Sequence, residues 1–162
     1  MKKPLRLRAV ALIVANPVGE ILVLQEFAAK PHIGKYSGMW SIPMETRDPG
    51  QNDQAALRQL HEEELAGLPS IQMPPRYIGA YQVVPSVWAT LFATTSSTYH
   101  LPPVSSDHPE VRNHEWMPIQ AALELWLRRG AAEMIRDYAG GLENVVRKIC
   151  AEVREVNDTV RT

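Results

Sequence analysis

The residues best suited to chemistry in this sequence lie in one short acidic segment. Glu62 and Glu63 follow Gln59 at spacings of three and four residues, and residues so spaced are neighbours on a helix surface. Their oxygen atoms are the ligands that hard divalent cations such as Mg²⁺ prefer, and such an ion usually keeps positions for water and substrate phosphates. Adjacent glutamates also repel each other, and a bound cation removes that cost. The spacing therefore indicates a divalent-cation site, although glutamate runs on helices are more commonly only a solvated face.

A helix is expected to position these side chains. Asn52 or Asp53 is suited to cap it, and the helical pattern runs from about residue 54 to residue 64. At about 100° per residue, Leu57 and Leu60 fall on one side, and the three candidate ligands fall within an arc of roughly 100° on the other. The helix is therefore expected to pack through its leucines and to present its polar oxygens to a cleft.

Apolar runs of strand length precede and follow this helix. The first two, 5–15 and 21–24, flank the turn-forming residues Asn16–Gly19, which predicts an antiparallel pair joined by a tight turn. Further runs are typical of strands: 40–43, 77–84, 87–95 and 111–116. Polar segments rich in glycine and proline are expected to be loops: 27–39, 44–53 and 96–109.

Helical segments are expected to close the chain. Pro118 is well placed to begin a helix that continues through Trp126. Farther on, apolar residues recur at helical spacing at positions 142, 145, 146, 149, 153 and 156, which predicts an amphipathic helix packed against the sheet or a partner subunit. Cys150 lies on its apolar side and is expected to be a core thiol. The patterns predict one α+β domain over residues 1–162, with C-terminal helices over about 118–160. The apolar stripe could also form the interface of a homodimer.

Composition excludes several classes of function. The chain has 162 residues, 17 Lys and Arg against 18 Asp and Glu, and a net charge of −1, so extended nucleic-acid binding is not expected. A single cysteine excludes an intrachain disulfide and cysteine-rich zinc sites. The basic start is followed by an apolar run too short for a signal peptide, and no run is long enough to span a bilayer. We therefore expect a cytoplasmic protein that neither spans nor binds a membrane.

The segment from about residue 40 to residue 68 resembles the box of the Nudix hydrolases, G-x5-E-x7-R-E-U-x-E-E-x-G-U, where U is a bulky aliphatic residue. Residues 40–43, WSIP, match the frequent lead-in W-x-x-P, and residues 48–51, DPGQ, resemble E-P-G-E. Residues 55–63, AALRQLHEE, resemble A-A-x-R-E-L-x-E-E. The resemblance extends over roughly residues 6–128 and implies an α/β/α sandwich with a mixed β-sheet and an additional C-terminal helical segment.

This chain departs from the box at several positions. Met44 and Glu45 stand where a glycine pair is expected. Leu65 replaces the glycine after the paired glutamates, unless Gly67 serves after a small insertion. Gln51 falls near the first box glutamate, and Gln59 replaces the glutamate after the arginine. An amide oxygen can still coordinate a cation, but it brings no charge and cannot act as a base at neutral pH.

The resemblance also implies roles for particular residues. Nudix glutamates hold one or more Mg²⁺ or Mn²⁺ ions, which neutralise a diphosphate and help to activate the attacking water. Glu62 and Glu63 are then the metal ligands and catalytic residues, with Gln59 a weakened ligand. Arg58 orients the glutamates through charge-assisted hydrogen bonds. Glu45 could partly replace the lost charge, although a surface position without a role is the alternative.

A general base and phosphate-binding cations are expected outside the box. Family members often take a base from the loop before the last strand, where Glu110 is preferred and Asp107 and Glu115 are the alternatives. Phosphate contacts are expected from basic residues of the two loops around the cleft: Lys30, His32, Lys35 and Arg47. Ordinary surface charges are the alternative for both sets.

Two functions follow from the resemblance. The first is metal-dependent hydrolysis of the pyrophosphate bond in a nucleoside diphosphate linked to another moiety, with Mg²⁺ or Mn²⁺ as cofactor. The second is a catalytically impaired domain that binds a nucleotide or a protein partner, which the amides and the missing glycines favour. The substrate would be selected by variable loops, in which no motif is readable.

Overall fold

The computed structural model describes residues 7–65, 71–101, 103–104 and 108–160. Its strands are β1 (Leu7–Ala15), β2 (Ile21–Glu26), β3 (Trp40–Ser41), β4 (Met44–Thr46), β5 (Arg76–Val84), β6 (Val87–Thr95) and β7 (Val111–Met117). Its α-helices are α1 (Asp53–Glu64), α2 (Ile119–Leu123) and α3 (Ala131–Val160), and a short 3-10 helix covers Pro31–Ile33. In this part of the chain no helix has the length and apolar character needed to cross a membrane.

The strands form one mixed sheet with β1 near its centre. The hydrogen-bonded order is β3-β2-β1-β6-β5, with β4 also paired to β1 and β7 also paired to β2. β1 runs parallel to β6 along its whole length, whereas the other pairs are antiparallel. Because β1 is bordered by other strands and covered on both faces, it reads in the sequence as a continuous apolar run.

Helices cover both faces of the sheet, as the two hydrophobic clusters show. Side chains alternate across a strand, so the odd-numbered residues from 9 to 15 of β1 pack with Met134 and Ile135 of α3. The even-numbered residues from 10 to 14 pack with Leu57 and Leu60 of α1. The expected α/β/α sandwich with a mixed sheet is therefore confirmed.

The segment after Pro43 differs from the prediction of a loop over residues 44–53. Residues 44–46 form β4, in which Glu45 lies opposite Val10 of β1. The buried Met44 side chain holds this strand against the sheet, and the turn-forming residues begin only at Asp48. Asn52 caps α1 as predicted, because its side chain accepts a hydrogen bond from the Ala55 N–H at 2.8 Å.

The predicted helix from Pro118 to Trp126 is shorter than expected. α2 ends at Leu123, and the following segment returns to β3 instead. The Trp40 N–H donates to the Trp126 carbonyl at 2.8 Å, and the Arg128 N–H donates to the Trp40 carbonyl at 2.7 Å. Leu125 and Leu127 pack against the core from this extended segment, which is why the chain leaves the helix.

Among its described side chains, α3 buries residues only in its first two turns. Its buried residues are Ala131, Met134, Ile135 and Tyr138. Farther along, Leu142 and Ile149 of the predicted apolar stripe are exposed, and the side chains at 145, 146, 153 and 156 lie outside those described. The prediction that Cys150 is a core thiol is wrong, because Cys150 is exposed where the helix has passed beyond the sheet.

Candidate active site

A pocket of about 320 Å³ opens where the C-terminal end of α1 meets β4 and the segment before β7. Its lining is mostly acidic and consists of Glu45, Glu63, Glu64, His108, Pro109 and Glu110. β4 and α1 both pack against β1, and β7 pairs with β2. The central hairpin of the sheet therefore brings these three distant segments together.

The packing of α1 decides which of its acidic side chains face the pocket. Glu64 follows the buried Leu60 by four residues, so it continues the face that packs on the sheet. Glu63 lies at the edge of that face and also lines the pocket. Glu62 and Arg58 are exposed on other sides of the helix and do not line it.

The two glutamine positions of the box are joined to Glu63 by hydrogen bonds. Gln51 Nε2 donates to Gln59 Oε1 at 2.9 Å, and Gln59 Nε2 donates to Glu63 Oε1 at 3.2 Å. Gln51 Oε1 accepts from the Asp48 N–H at 2.9 Å. We call Gln51, Gln59 and Glu63 the amide chain. Amides donate as well as accept, so these three side chains satisfy one another where glutamates would repel.

Two lysines hold the carboxylate of Glu110 on the opposite side of the pocket. Lys35 Nζ lies 2.9 Å from Glu110 Oε2 and 2.8 Å from Glu26 Oε2, and Lys30 Nζ donates to Glu110 Oε1. Burial alone would raise the pKa of Glu110, but the hydrogen bonds and charges of the lysines lower this pKa to about 2. The Lys35 side chain is only 5% exposed, whereas that of Lys30 is 40% exposed. Of the two, Lys30 is therefore the one open to a ligand.

Glu45 and Glu64 are partly buried and have fewer positive charges nearby to compensate them, and we call these two side chains the buried acids. Burial, together with repulsion from Glu63 and Glu110, raises the pKa of Glu45 to about 7. Burial and the surrounding carboxylates raise the pKa of Glu64 to about 8, with Lys35 offsetting part of the effect. The Glu64 Oε2 atom is buried without a hydrogen-bond partner among the described residues. Both acids therefore resist ionisation unless a positive charge enters the pocket.

His108 is held in one orientation by the backbone before β7. Its Nδ1 atom accepts hydrogen bonds from the N–H groups of Glu110 at 3.2 Å and Val111 at 3.0 Å. Since Nδ1 is an acceptor, the proton of the neutral ring is on Nε2. A histidine that lines the pocket therefore offers a donor to a bound ligand.

The structure distributes the predicted site residues unevenly. It brings together Glu63, Glu110, Lys30 and Lys35 around the pocket. Arg47 instead binds its own loop, through the Gln51 carbonyl and Asp53 Oδ1 at 3.0 Å. His32 is exposed in the 3-10 helix.

The alternative bases lie elsewhere. Glu115 is on β7, where its Oε1 atom accepts a hydrogen bond from Asn113 at 3.0 Å. Asp107 lies outside the described residues.

Sequence reasoning did not single out Glu64, His108 or Glu26. Glu64 had a readable signal, because it is four residues after Leu60 and thus on the apolar face of α1. Glu26 ends an apolar strand, and a buried charge there is expected only with a partner, which is Lys35. His108 had no signal, since its contacts depend on the backbone of its own loop.

The donor set of the pocket suits a hard divalent cation. Carboxylates of Glu45, Glu63 and Glu64 line it, and the unpartnered oxygen of Glu64 lacks the compensation that such an ion provides. Over the described ranges, no three acidic, cysteine or histidine side chains are already gathered into a metal-binding group. A cation would therefore have to draw these carboxylates together, against the repulsion that now separates them.

Comparison with known proteins relates most of this chain to one domain family. The NUDIX domain family matches residues 5–138 of this chain. Among solved structures, a mutT/nudix family protein from Listeria innocua superposes with a TM-score of 0.61 at 20% identity, covering 89% of this chain and 98% of that one.

Two further similar structures are a domain complexed with ADP-ribose and an Ap4A hydrolase. The NUDIX domain of Shewanella oneidensis NrtR, complexed with ADP-ribose, has a TM-score of 0.59 at 16% identity over 88% of this chain and 90% of that one. An Ap4A hydrolase from C. elegans, in a binary complex, has a TM-score of 0.59 at 19% identity over 85% and 98%. At such identities these likenesses show the shared fold.

Proposed function

We propose, from the premise that this chain belongs to the NUDIX domain family, that it hydrolyses the pyrophosphate bond of a nucleoside diphosphate linked to another moiety. Two of the similar structures are a domain complexed with ADP-ribose and an Ap4A hydrolase. In both compounds a phosphate chain joins a nucleoside to a second group. We propose a substrate of this chemical class, and water as the attacking nucleophile.

The observation that carries this proposal is the position of Glu63. It lines the acidic pocket and is at the same time the last member of the amide chain. Lys30, which is partly exposed, is ion-paired to Glu110 of the pocket lining. Carboxylates beside an accessible ammonium group are the combination that metal-assisted phosphate chemistry requires.

Mg²⁺ or Mn²⁺ is the proposed cofactor, with Glu62, Glu63 and the Gln59 amide oxygen as proposed ligands. When bound, such an ion would neutralise the charge of the diphosphate and lower the pKa of a water molecule bound to it. Glu62 does not line the pocket, so its side chain would have to turn towards the pocket to take part. Arg58, which is exposed, is proposed to orient these glutamates once substrate is present.

Lys30 and Glu110 provide a way to couple substrate binding to proton transfer. A phosphate at the pocket mouth would compete with Glu110 for the ammonium group of Lys30. Losing this partner would raise the pKa of Glu110 from about 2 and make its carboxylate a better acceptor for the water proton. Lys35 stays between Glu26 and Glu110, which keeps the carboxylate in place.

A second function is favoured by the amide chain. Gln51 and Gln59 hydrogen-bond to each other, so this part of the box needs no cation to hold its shape. A domain that binds a nucleotide or a protein partner without cleaving it would tolerate these amides. The basic residues Lys35 and Arg47 would then serve the architecture of the binding loops.

The two functions are separated by incubating the purified protein with a panel of nucleoside diphosphate derivatives and Mg²⁺ or Mn²⁺. An enzyme releases a nucleoside monophosphate or phosphate, and we expect Glu63→Gln to lower kcat/KM at least about tenfold while the circular dichroism spectrum is unchanged. Glu143→Gln, which removes an exposed carboxylate on α3, is the charge-matched control. If no compound is cleaved but one raises Tm without metal, the binding function replaces hydrolysis.

A further inference from the structure

We infer that Glu64 is a ligand for the divalent cation of this pocket, and that with Glu63 it supplies the negative charge that the two box glutamines no longer provide. This ligand role rests on the proposed function, because it assumes that the pocket binds a metal ion. It goes beyond that function because residue 64 occupies an unspecified position of the box, where any residue type is allowed.

The first support is the burial of the Glu64 carboxylate without a partner. Its Oε2 atom has no contact with solvent and accepts no hydrogen bond from the described residues. A carboxylate buried in this way carries a large desolvation penalty unless a charge or donor meets it. The side chain also lines the pocket, so an ion in the pocket would be within its reach.

The second support is the set of charged groups that face Glu64. Carboxylates surround it from three elements: Glu26 of β2, Glu45 of β4 and Glu110 beside β7. The cations near them are Lys30, paired with Glu110, Lys35, shared by Glu26 and Glu110, and Arg128, whose guanidinium donates to the Ile33 carbonyl at 2.8 Å. The acids therefore outnumber the cations around the pocket, and a divalent ion would balance the difference.

The third support is the contrast with the positions that lost their charge. Gln51 and Gln59 point to each other and to Glu63, and their hydrogen-bonding groups are occupied. Glu62, the other box glutamate, is exposed. Among the described residues that line the pocket, Glu45, Glu63 and Glu64 are the carboxylates that Lys30 and Lys35 do not hold.

Titration with Mn²⁺ alone tests this role without any substrate. Binding is measured by isothermal titration calorimetry and by the loss of the electron paramagnetic resonance signal of free Mn²⁺. We expect Glu64→Gln, which keeps the shape of the side chain, to raise the Kd at least about tenfold. Glu143→Gln removes the same charge from an exposed site and should leave the Kd unchanged.

A crystal of the wild-type protein soaked in Mn²⁺ gives a second measurement that does not depend on a variant folding. An anomalous peak within about 2.6 Å of a Glu64 carboxylate oxygen is expected. A peak whose ligands exclude Glu64, or a Glu64→Gln protein with wild-type affinity, would overturn the role.

The outcomes also distinguish this role from the proposed hydrolysis. If Glu64→Gln weakens Mn²⁺ binding but the wild-type protein cleaves no nucleotide, the ligand role stands and the proposed hydrolysis fails. If the protein hydrolyses nucleotides while Glu64→Gln binds Mn²⁺ normally, hydrolysis stands and the ligand role fails. A wild-type protein that binds no Mn²⁺ would reject both.

Discussion

Two groups of residues at the pocket meet the same electrostatic repulsion in different ways. In the amide chain, Gln51, Gln59 and Glu63 are joined by hydrogen bonds at 2.9 and 3.2 Å and carry one negative charge. In the second group, the buried acids Glu45 and Glu64, burial and the repulsion of further carboxylates raise the pKa of each side chain. The difference teaches that a glutamate-rich box can lose charge at its usual positions while neighbouring residues keep the pocket acidic.

The largest expected effect comes from removing Lys35, the cation that pairs with Glu26 and Glu110. Lys35→Met leaves Glu26 and Glu110 without their shared buried partner, and breaking a buried ion pair in this way costs about 3–5 kcal/mol. Urea unfolding measures the change in the free energy of unfolding. Lys30→Met is the matched control, because an exposed pair is worth less than about 1 kcal/mol. Equal losses for both variants would contradict the contrast drawn between these lysines.

The next effect is a pH dependence of stability that the buried acids produce. Their pKa values of about 7 and about 8 lie above the ordinary value of 4.5, so the folded state binds more protons than the unfolded state between these limits. Without divalent ions, the free energy of unfolding should therefore fall as the pH rises from 4.5 to about 8, by a few kcal/mol. Glu110 acts in the opposite sense below this range, where its stabilisation is lost as the pH falls from 4.5 towards 2.

Denaturant unfolding at pH 5 and pH 9 in the presence of a chelator measures this profile. Glu64→Gln should flatten it and make the protein more stable than wild type at pH 9. Glu143→Gln should keep the wild-type profile. A wild-type protein whose stability does not fall over this range would show that the buried acids find compensation in solution.

The smallest effect comes from returning charge to the amide chain. Gln59→Glu places a second carboxylate on α1, four residues before Glu63. Repulsion between the two should lower the free energy of unfolding by about 0.2–0.5 kcal/mol without metal. With Mn²⁺ the same change should lower the Kd, because the ion now meets one more negative ligand. Thermal unfolding and calorimetry measure the two responses. Gln54→Glu adds the same charge at the other end of α1, and an equal gain in Mn²⁺ affinity there would exclude a local effect.

The fold was largely predictable because its elements are specified by local pattern. The continuous apolar run of β1, the turn at Asn16–Gly19 and the cap at Asn52 each have a signal within a few residues. The errors arose where tertiary contacts override such signals. Residues 44–46 join the sheet although they are polar in part, and the segment after Leu123 leaves its helix to pair with Trp40.

The candidate site was predictable in its residue types but not in its pairings. Lys30 and Lys35 were expected to meet phosphates, and their contacts with Glu110, 80 and 75 residues away, depend on the assembled sheet. Glu62 and Glu64 could not be ranked from the box alone, because the burial of each depends on how α1 rotates against β1. The metal-binding roles of both remain predictions.

The long final helix offers a practical advantage for studying this pocket. Cys150 is the single cysteine of the chain, and it is exposed on α3, beyond the turns that pack on the sheet. A thiol-reactive fluorophore can therefore be attached at one defined place without altering any group that lines the pocket. The fluorescence anisotropy of the labelled protein would then rise with protein concentration if the protein associates with itself, because a larger assembly tumbles more slowly.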